Sequence, residues 1–207
     1  MRTIQSQSIK KPLTHIINGK EPFQIYDKIV KDGFQFPDRN TPMLFKPPKV
    51  VWISMNYDWE RWCRGESFLD IDKCVIADVK LKRNLKFAYV KNINDVINLT
   101  RYIMPKGYDP IKDNDFYIKY PKYIDRCSGI NMMDLSSIMY WFLKKGIDFT
   151  KVNIWENVED EFDGILYLNS WSTHMDSYFN AWDCDSIALF NPKDMELLNP
   201  RLGKGIG

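Results

Sequence analysis

Three closely spaced tryptophans are the residues of this chain whose type and spacing best suit a chemical role. Residues 49–54 read Lys-Val-Val-Trp-Ile-Ser, and Trp59 and Trp62 follow, so three of the seven tryptophans fall within eleven positions. Indole rings are large, stiff and flat, and they pack well against another flat ring. A hydrophobic strand followed by paired indoles therefore predicts either a corner of the hydrophobic core or a cleft that holds a planar ligand.

Histidine and cysteine are too sparse to indicate a metal site. The chain has two histidines, His15 and His174, and four cysteines, none of which forms a Cys-x-x-Cys pair. A structural zinc site needs four closely spaced nitrogen or sulfur ligands, so we expect no metal. Scattered thiols without a signal peptide are typical of reduced proteins, which predicts a cytoplasmic location, or the host cytoplasm if the chain is viral.

Several familiar catalytic motifs are missing from the sequence. No serine lies in a Gly-x-Ser-x-Gly elbow, which argues against acyl transfer, and neither glycine-rich phosphate-binding pattern occurs. The 29 basic and 27 acidic side chains give a net charge of +2, which does not require a nucleic-acid or membrane partner. No apolar run approaches the roughly 20 residues of a membrane span, so we expect no membrane association.

Hydrophobic periodicity places these residues on a mixture of strands and helices. Strands are predicted at 12–17, 50–54, 74–81, 85–90, 165–168 and 186–190, and helices at 22–32, 57–64, 94–104 and 132–145. The polar turn Lys82-Arg83-Asn84 predicts that the strands on either side of it form a hairpin. Together these elements predict an α+β fold with mixed, mostly antiparallel sheets flanked by helices.

The chain is long enough for one substantial core, and we expect a single-domain monomer. Residues 1–11 are polar and predict a flexible N-terminal segment, residues 12–200 the folded domain, and residues 201–207 a tail. Within the domain, residues 105–123 predict a long loop that is either functional or an insertion. Its alternating lysines and tyrosines fit either a grip on single-stranded nucleic acid or a solvated loop held by tyrosines.

Three segments, in order along the chain, resemble the catalytic domain of the poly(ADP-ribose) polymerase-like ADP-ribosyltransferase superfamily. The first is Leu13-Thr14-His15 with Lys31-Asp32-Gly33-Phe34, where the family has a strand histidine and then a helix that ends at a glycine. The second, residues 49–63, resembles the strand aromatic, small residue and short helix of its second motif. The third, residues 186–192, resembles the hydrophobic strand that a glutamate opens. The resemblance implies the ADP-ribosyltransferase fold.

The resemblance also implies a set of residues that bind NAD as the substrate. His15 would hydrogen-bond the 2′-hydroxyl of the adenine-side ribose, and the backbone at Ile16 would face the nicotinamide amide. Trp52 and Trp62 stand where the family has two tyrosines that sandwich the nicotinamide ring, a position that suits indole because its face attracts a charged pyridinium. Ser54 stands where a small residue lets the ring approach closely.

The sequence departs from the family pattern at the position that bears charge. Ser186 occupies the place of the catalytic glutamate, Ile16 replaces a glycine, and the Ser-x-Ser before the second aromatic is missing. Asp185 or Asp183 could supply the carboxylate, but a shift of one residue along a strand points a side chain to the opposite face. These departures imply a mono-ADP-ribosyltransferase acting on a protein or nucleic-acid acceptor. The richness in Lys, Ile, Asn, Asp and Tyr is typical of AT-rich coding, which favours a phage, viral or bacterial effector. The alternatives are an inactive relative that binds NAD or ADP-ribose, and a protein-interaction module with a tryptophan-rich face.

Overall fold

An eight-stranded sheet forms the centre of the computed structural model, which describes residues 1–36, 47, 49–103, 142–148, 155–168 and 184–205. The strands are β1 (Thr3–Gln5), β2 (Leu13–Ile17), β3 (Val51–Met55), β4 (Val75–Leu81), β5 (Lys86–Val90), β6 (Gly164–Tyr167), β7 (Ser186–Leu189) and β8 (Met195–Leu202). Their order across the sheet is β1-β5-β6-β7-β3-β2-β4-β8. Every recorded pairing is antiparallel except the one between β5 and β6.

Helices pack against this sheet. They are α1 (Pro22–Asp32), α2 (Asp58–Gly65), α3 (Ile93–Ile103) and α4 (Glu156–Glu161). Helix α1 begins with proline, whose missing N–H costs nothing in a first turn, and it ends where Gly33 takes a φ of 80°. The predicted bounds of α1 are therefore confirmed, because both of its ends carry local signals.

The larger hydrophobic cluster lies on one face of the sheet, which we call the α1 face. Side chains alternate between the two faces of a strand, and Val51, Ile53 and Met55 of β3 all point into this cluster. Tyr26 and Ile29 of α1 pack on it.

The opposite face, which we call the α2 face, carries a smaller cluster. Cys63 of α2 lies there with Cys74, and Ile16 of β2 packs against both, together with Trp59 and Trp62 of α2. Strands β2 and β3 thus each have one side turned to α1 and one to α2, and this division decides which candidate residues can meet.

The predicted α+β class with a mostly antiparallel sheet is confirmed, but the predicted hairpin is wrong. Strand β4 lies between β2 and β8, whereas β5 lies between β1 and β6. In the intervening turn, Arg83 pairs with Asp163 at 2.6 Å and with Asp194 at 2.8 Å, residues that directly precede β6 and β8. A polar turn between two strands predicts that both strands exist, and their partners are chosen by contacts distant in sequence.

Both chain ends contribute strands that the sequence did not predict. Residues 3–5, within the segment predicted to be flexible, form β1 against β5, and the Ser6 backbone N–H donates to the Leu85 carbonyl at 2.8 Å. Strand β8 runs to Leu202, past the predicted domain boundary at residue 200.

Some predicted elements lie outside the described residues. These are the loop at 105–123 and most of the helix predicted at 132–145. Among the helices that the structure describes, none combines the length and the apolar character needed to cross a bilayer.

Candidate functional site

The three segments that carry the resemblance become three neighbouring strands. Strand β3 lies between β2 and β7 in the sheet, although β7 is more than a hundred residues away in the chain. The register pairs Thr14 with Ser54, and Ser54 in turn with Ser186. The sequence motifs that carry His15, Trp52 and Ser186 are therefore adjacent in the fold.

Strands β2 and β3 pair over only two positions and then stop pairing. The recorded pairs are Leu13 with Met55 and Thr14 with Ser54. At the next residue the ring Nδ1 of His15 lies 2.8 Å from the backbone carbonyl oxygen of Trp52. We call this place, from the Thr14–Ser54 pair to the His15–Trp52 contact, the fork. Here the His15 ring, and not a backbone N–H, bonds to the Trp52 carbonyl at the point where the pairing of β2 and β3 ends.

The contacts of His15 define its tautomer. A carbonyl oxygen can only accept a hydrogen bond, so Nδ1 carries the proton and Nε2 keeps a lone pair. Burial lowers the pKa of His15, against a smaller opposing effect of the Trp52 carbonyl. The ring also meets Phe34 edge-on, with centroids 5.3 Å apart and an interplanar angle of 79°. His15 is therefore a neutral imidazole whose Nε2 can accept a hydrogen bond.

The side chains of His15 and Trp52 leave the fork on opposite faces of the sheet. Thr14 bonds to α2, so His15, the next residue of β2, points to the α1 face. Ile53 belongs to the α1-face cluster, so Trp52 points to the α2 face. The structure does not bring the imidazole and this indole to one side of the sheet, because odd and even positions of two paired strands face opposite ways.

The second predicted clamp residue, Trp62, already has an aromatic partner. Its ring stacks on Trp59 with centroids 4.8 Å apart and planes 15° from parallel. Phe68 lies 5.4 Å from Trp62 and is 60% exposed. Trp59, which the sequence reading assigned to packing, thus occupies one face of the Trp62 ring. Ile16, whose backbone was expected to face nicotinamide, packs its side chain against the cluster under Trp59 and Trp62.

The sequence reading missed a buried carboxylate beside the fork. Glu60, in the first turn of α2, is fully buried. Thr14 Oγ1 donates to its Oε1, and Ser54 Oγ donates to its Oε2 at 2.5 Å. Burial and the charge of Glu60 raise the pKa of the Cys63 thiol to about 11. The sequence signal for a buried Glu60 is its spacing, since Glu60 lies three residues before the apolar Cys63, on the same side of a helix.

Two residues predicted for the catalytic position, Ser186 and Asp185, lie on opposite faces of the sheet. Ser186 is buried and shares the α2 face with Ser54, since the two are paired. Asp185, which precedes it, is 4% exposed, and its Oδ2 forms an ion pair with Lys11 Nζ at 3.1 Å. The Asp185 carbonyl accepts from the Met55 N–H, which continues the β3–β7 register, and Ile187, two residues on, belongs to the α1-face cluster, so Asp185 points to the α1 face with His15. Asp183 lies outside the described residues.

Two cavities lined by described residues lie near this arrangement. One, of about 570 Å³, lies between the end of α1 and β8, and its lining includes Phe34, Lys82 and Lys193. The other, of about 440 Å³, lies at the start of β2, and its lining includes Lys11 and Leu13. The first reaches the fork through Phe34, which contacts His15, and the second reaches Asp185 through Lys11.

Neither a metal site in the described residues nor a known relative constrains the function further. In the described part of the chain, no group of three or more His, Cys, Asp or Glu side chains has an arrangement that could hold a metal ion. No family model, no curated protein and no solved structure matches the chain.

Proposed function

We propose that the protein is an NAD-dependent mono-ADP-ribosyltransferase that acts on a macromolecular acceptor, either a protein or a nucleic acid. The observation that carries the proposal is the adjacency of β2, β3 and β7, with the pairing of β2 and β3 ending at His15. Three motifs far apart in sequence have no local reason to become neighbours. Their meeting at an opened part of the sheet, next to a neutral histidine, supports a common binding role.

The reaction requires little from the protein beyond binding and charge stabilisation. The bond between the ribose C1′ and the nicotinamide nitrogen breaks, and its electron pair leaves with the now neutral nicotinamide. The acceptor's nucleophilic oxygen or nitrogen then bonds to C1′, and its proton passes to a carboxylate and on to water. Positioning the dinucleotide and stabilising positive charge on the ribose account for most of the rate.

The α1 face suits this chemistry better than the α2 face. It carries His15, the Phe34 ring against it, and the carboxylate of Asp185. On the α2 face, the carboxylate of Glu60 is fully buried and already accepts hydrogen bonds from Thr14 and Ser54, and Ser186 carries no charge. We therefore propose that NAD lies on the α1 face, with His15 Nε2 accepting from a ribose hydroxyl and Asp185 acting as the carboxylate.

The proposal is tested by incubating the full chain with NAD labelled separately in its nicotinamide and adenylate parts. We expect NAD to raise the melting temperature, nicotinamide to be released, and the adenylate label to appear on an added protein or nucleic-acid acceptor. Loss of nicotinamide without label on any macromolecule would indicate hydrolysis instead. No thermal shift together with no nicotinamide release would overturn the proposal.

A second candidate is a relative that binds NAD or ADP-ribose without catalysis. The observation in its favour is that the family's glutamate position is a buried serine, Ser186, while the carboxylate of Asp185, which directly precedes β7, is already paired with Lys11. For this candidate we expect a thermal shift with NAD and an equal or larger shift with ADP-ribose. Measurable nicotinamide release by the purified chain would exclude it.

A further inference from the structure

The buried carboxylate of Glu60 has hydroxyl partners from two different strands. Thr14 belongs to β2 and Ser54 to β3, and each donates to a different oxygen of Glu60. Among the described residues, no cationic side chain contacts this carboxylate. Burying a charge without a cation is costly, and an apolar side chain would also fill the space under α2. The presence of a carboxylate at this position therefore calls for a reason beyond packing.

Helix capping explains only half of the arrangement. The Trp59 backbone N–H donates to Ser54 Oγ at 3.1 Å, and a carboxylate in the first turn of a helix interacts favourably with the helix dipole. Thr14, however, is fully buried on β2 and takes no part in capping α2. Its bond to Glu60 connects β2 to β3 and α2 at the last paired position before the fork.

We infer that Glu60 is a positioning residue for the fork: by accepting from Thr14 and Ser54, it holds β2 and β3 together at their last shared pair and so presents His15 to the Trp52 carbonyl. The importance of this for NAD rests on the proposed function above. The structural part does not, because the position of His15 can be read in the free protein. His15 directly follows Thr14, so any movement of the Thr14 backbone carries the imidazole with it.

The test compares Glu60→Gln with Glu66→Gln in the full-length chain. Glu66 lies just after the same helix and is exposed, so its variant loses the same charge without touching Thr14 or Ser54. The readout is nitrogen-15 NMR of the imidazoles, followed as a function of pH. A His174→Gln background leaves His15 as the only histidine in the chain and removes any ambiguity of assignment.

In the parent chain, with Glu60 present, we expect His15 to keep its proton on Nδ1 and its pKa to lie below the ordinary value of 6.5. In Glu60→Gln we expect a mixture of tautomers and a titration midpoint that moves up toward that value, because the fork admits water. Affinity for NAD should fall by about tenfold, the size of effect expected from losing one hydrogen bond. Glu66→Gln should leave all three properties unchanged.

A general loss of stability would lower the melting temperature without changing the titration of His15 in the molecules that remain folded. If Glu60→Gln folds and its His15 signals match those of the parent, the inference is wrong. If Glu60→Gln does not fold, Thr14→Val removes one donor at nearly constant shape, and the same His15 readout decides. Failure of the parent chain to bind NAD would contradict the proposed function alone, since the imidazole signals do not depend on it.

Discussion

The ring Nδ1 of His15 lies 2.8 Å from the backbone carbonyl oxygen of Trp52, one residue beyond the last pair of strands β2 and β3. A side chain here binds the carbonyl that a backbone N–H would bind if the two strands continued to pair. This contact orients the imidazole and leaves its Nε2 available as an acceptor. It also explains why the two residues touch through a ring and a carbonyl while their side chains lie on opposite faces of the sheet.

Replacing His15 should remove part of the pH dependence of stability. Because burial lowers the pKa of His15, the unfolded chain binds more protons than the folded protein between that lowered pKa and 6.5. The free energy of unfolding should therefore fall as pH drops through this window and become independent of His15 below it. Urea titrations between about pH 8 and about pH 5 should show a flatter profile for His15→Asn, whose amide can still donate to the Trp52 carbonyl.

The other histidine provides the control for this prediction. His174→Gln changes the only other imidazole in the chain, and we expect it to keep the pH dependence attributed to His15. Parallel profiles for His15→Asn and the parent chain would show that His15 titrates alike in the folded and unfolded states.

Asp185 and Ser186 should differ sharply in their effect on transfer. We expect Asp185→Asn to reduce transfer of ADP-ribose to the acceptor by about 100-fold or more, the usual cost of losing a carboxylate that takes a proton in the transition state. Ser186→Ala should remain close to the parent, since Ser186 lies on the α2 face with Ser54. The measurement is the single-turnover rate with saturating NAD.

Asp185 also forms an ion pair with Lys11, so a structural effect must be separated from a chemical one. Lys11→Met removes the same ion pair and keeps the carboxylate. We expect this variant to retain most of the transfer rate. Equal losses in Lys11→Met and Asp185→Asn would assign the effect to the ion pair and count against a chemical role.

Phe34 and Trp52 distinguish the two faces of the sheet as the place where NAD binds. Phe34 contacts His15 on the α1 face, so Phe34→Ala should weaken NAD binding by about tenfold, or about 1.4 kcal/mol. Trp52→Ala should weaken it less, because that indole points to the α2 face. Calorimetric titration of NAD into both variants measures the difference. A larger loss in Trp52→Ala would restore the clamp predicted from sequence.

Gly164 provides a test of the sheet itself. A Cβ added at this position would lie 2.3 Å from the Ala188 carbonyl oxygen and 3.2 Å from Leu189 Cα. Neither backbone atom can move without disturbing the pairing of β6 and β7, so Gly164→Ala should cost about 1–3 kcal/mol of unfolding free energy. Gly65, in the last turn of α2, has open space around it, and Gly65→Ala should stabilise by about 0.5–1 kcal/mol. Urea denaturation of both variants checks the opposite signs.

Local signals in the sequence predicted most elements of the described fold, but not β1, β8 or α4. The bounds of α1 follow from its proline start and the glycine after its end, and β2, β3 and β7 lie where the hydrophobic runs predicted strands. The three motifs that carry the resemblance lie on strands that are neighbours in the sheet. These features depend on side chains only a few residues apart, and such neighbours are visible in the sequence.

Only the tertiary structure decided which strands pair and which side chains share a face. The hairpin of β4 and β5 was predicted because a polar turn joins them, yet their partners are β2, β8, β1 and β6. The contact of His15 with Trp52 and the bonds of Glu60 to Thr14 and Ser54 join positions 37, 46 and 6 residues apart. The register of the strands and the burial of their side chains are set only when the whole core packs, because the element against which a strand buries its apolar side can come from a distant part of the chain. For this reason the sequence could name the residues of the candidate site, but the fold alone divided them between two faces and placed a carboxylate between the strands.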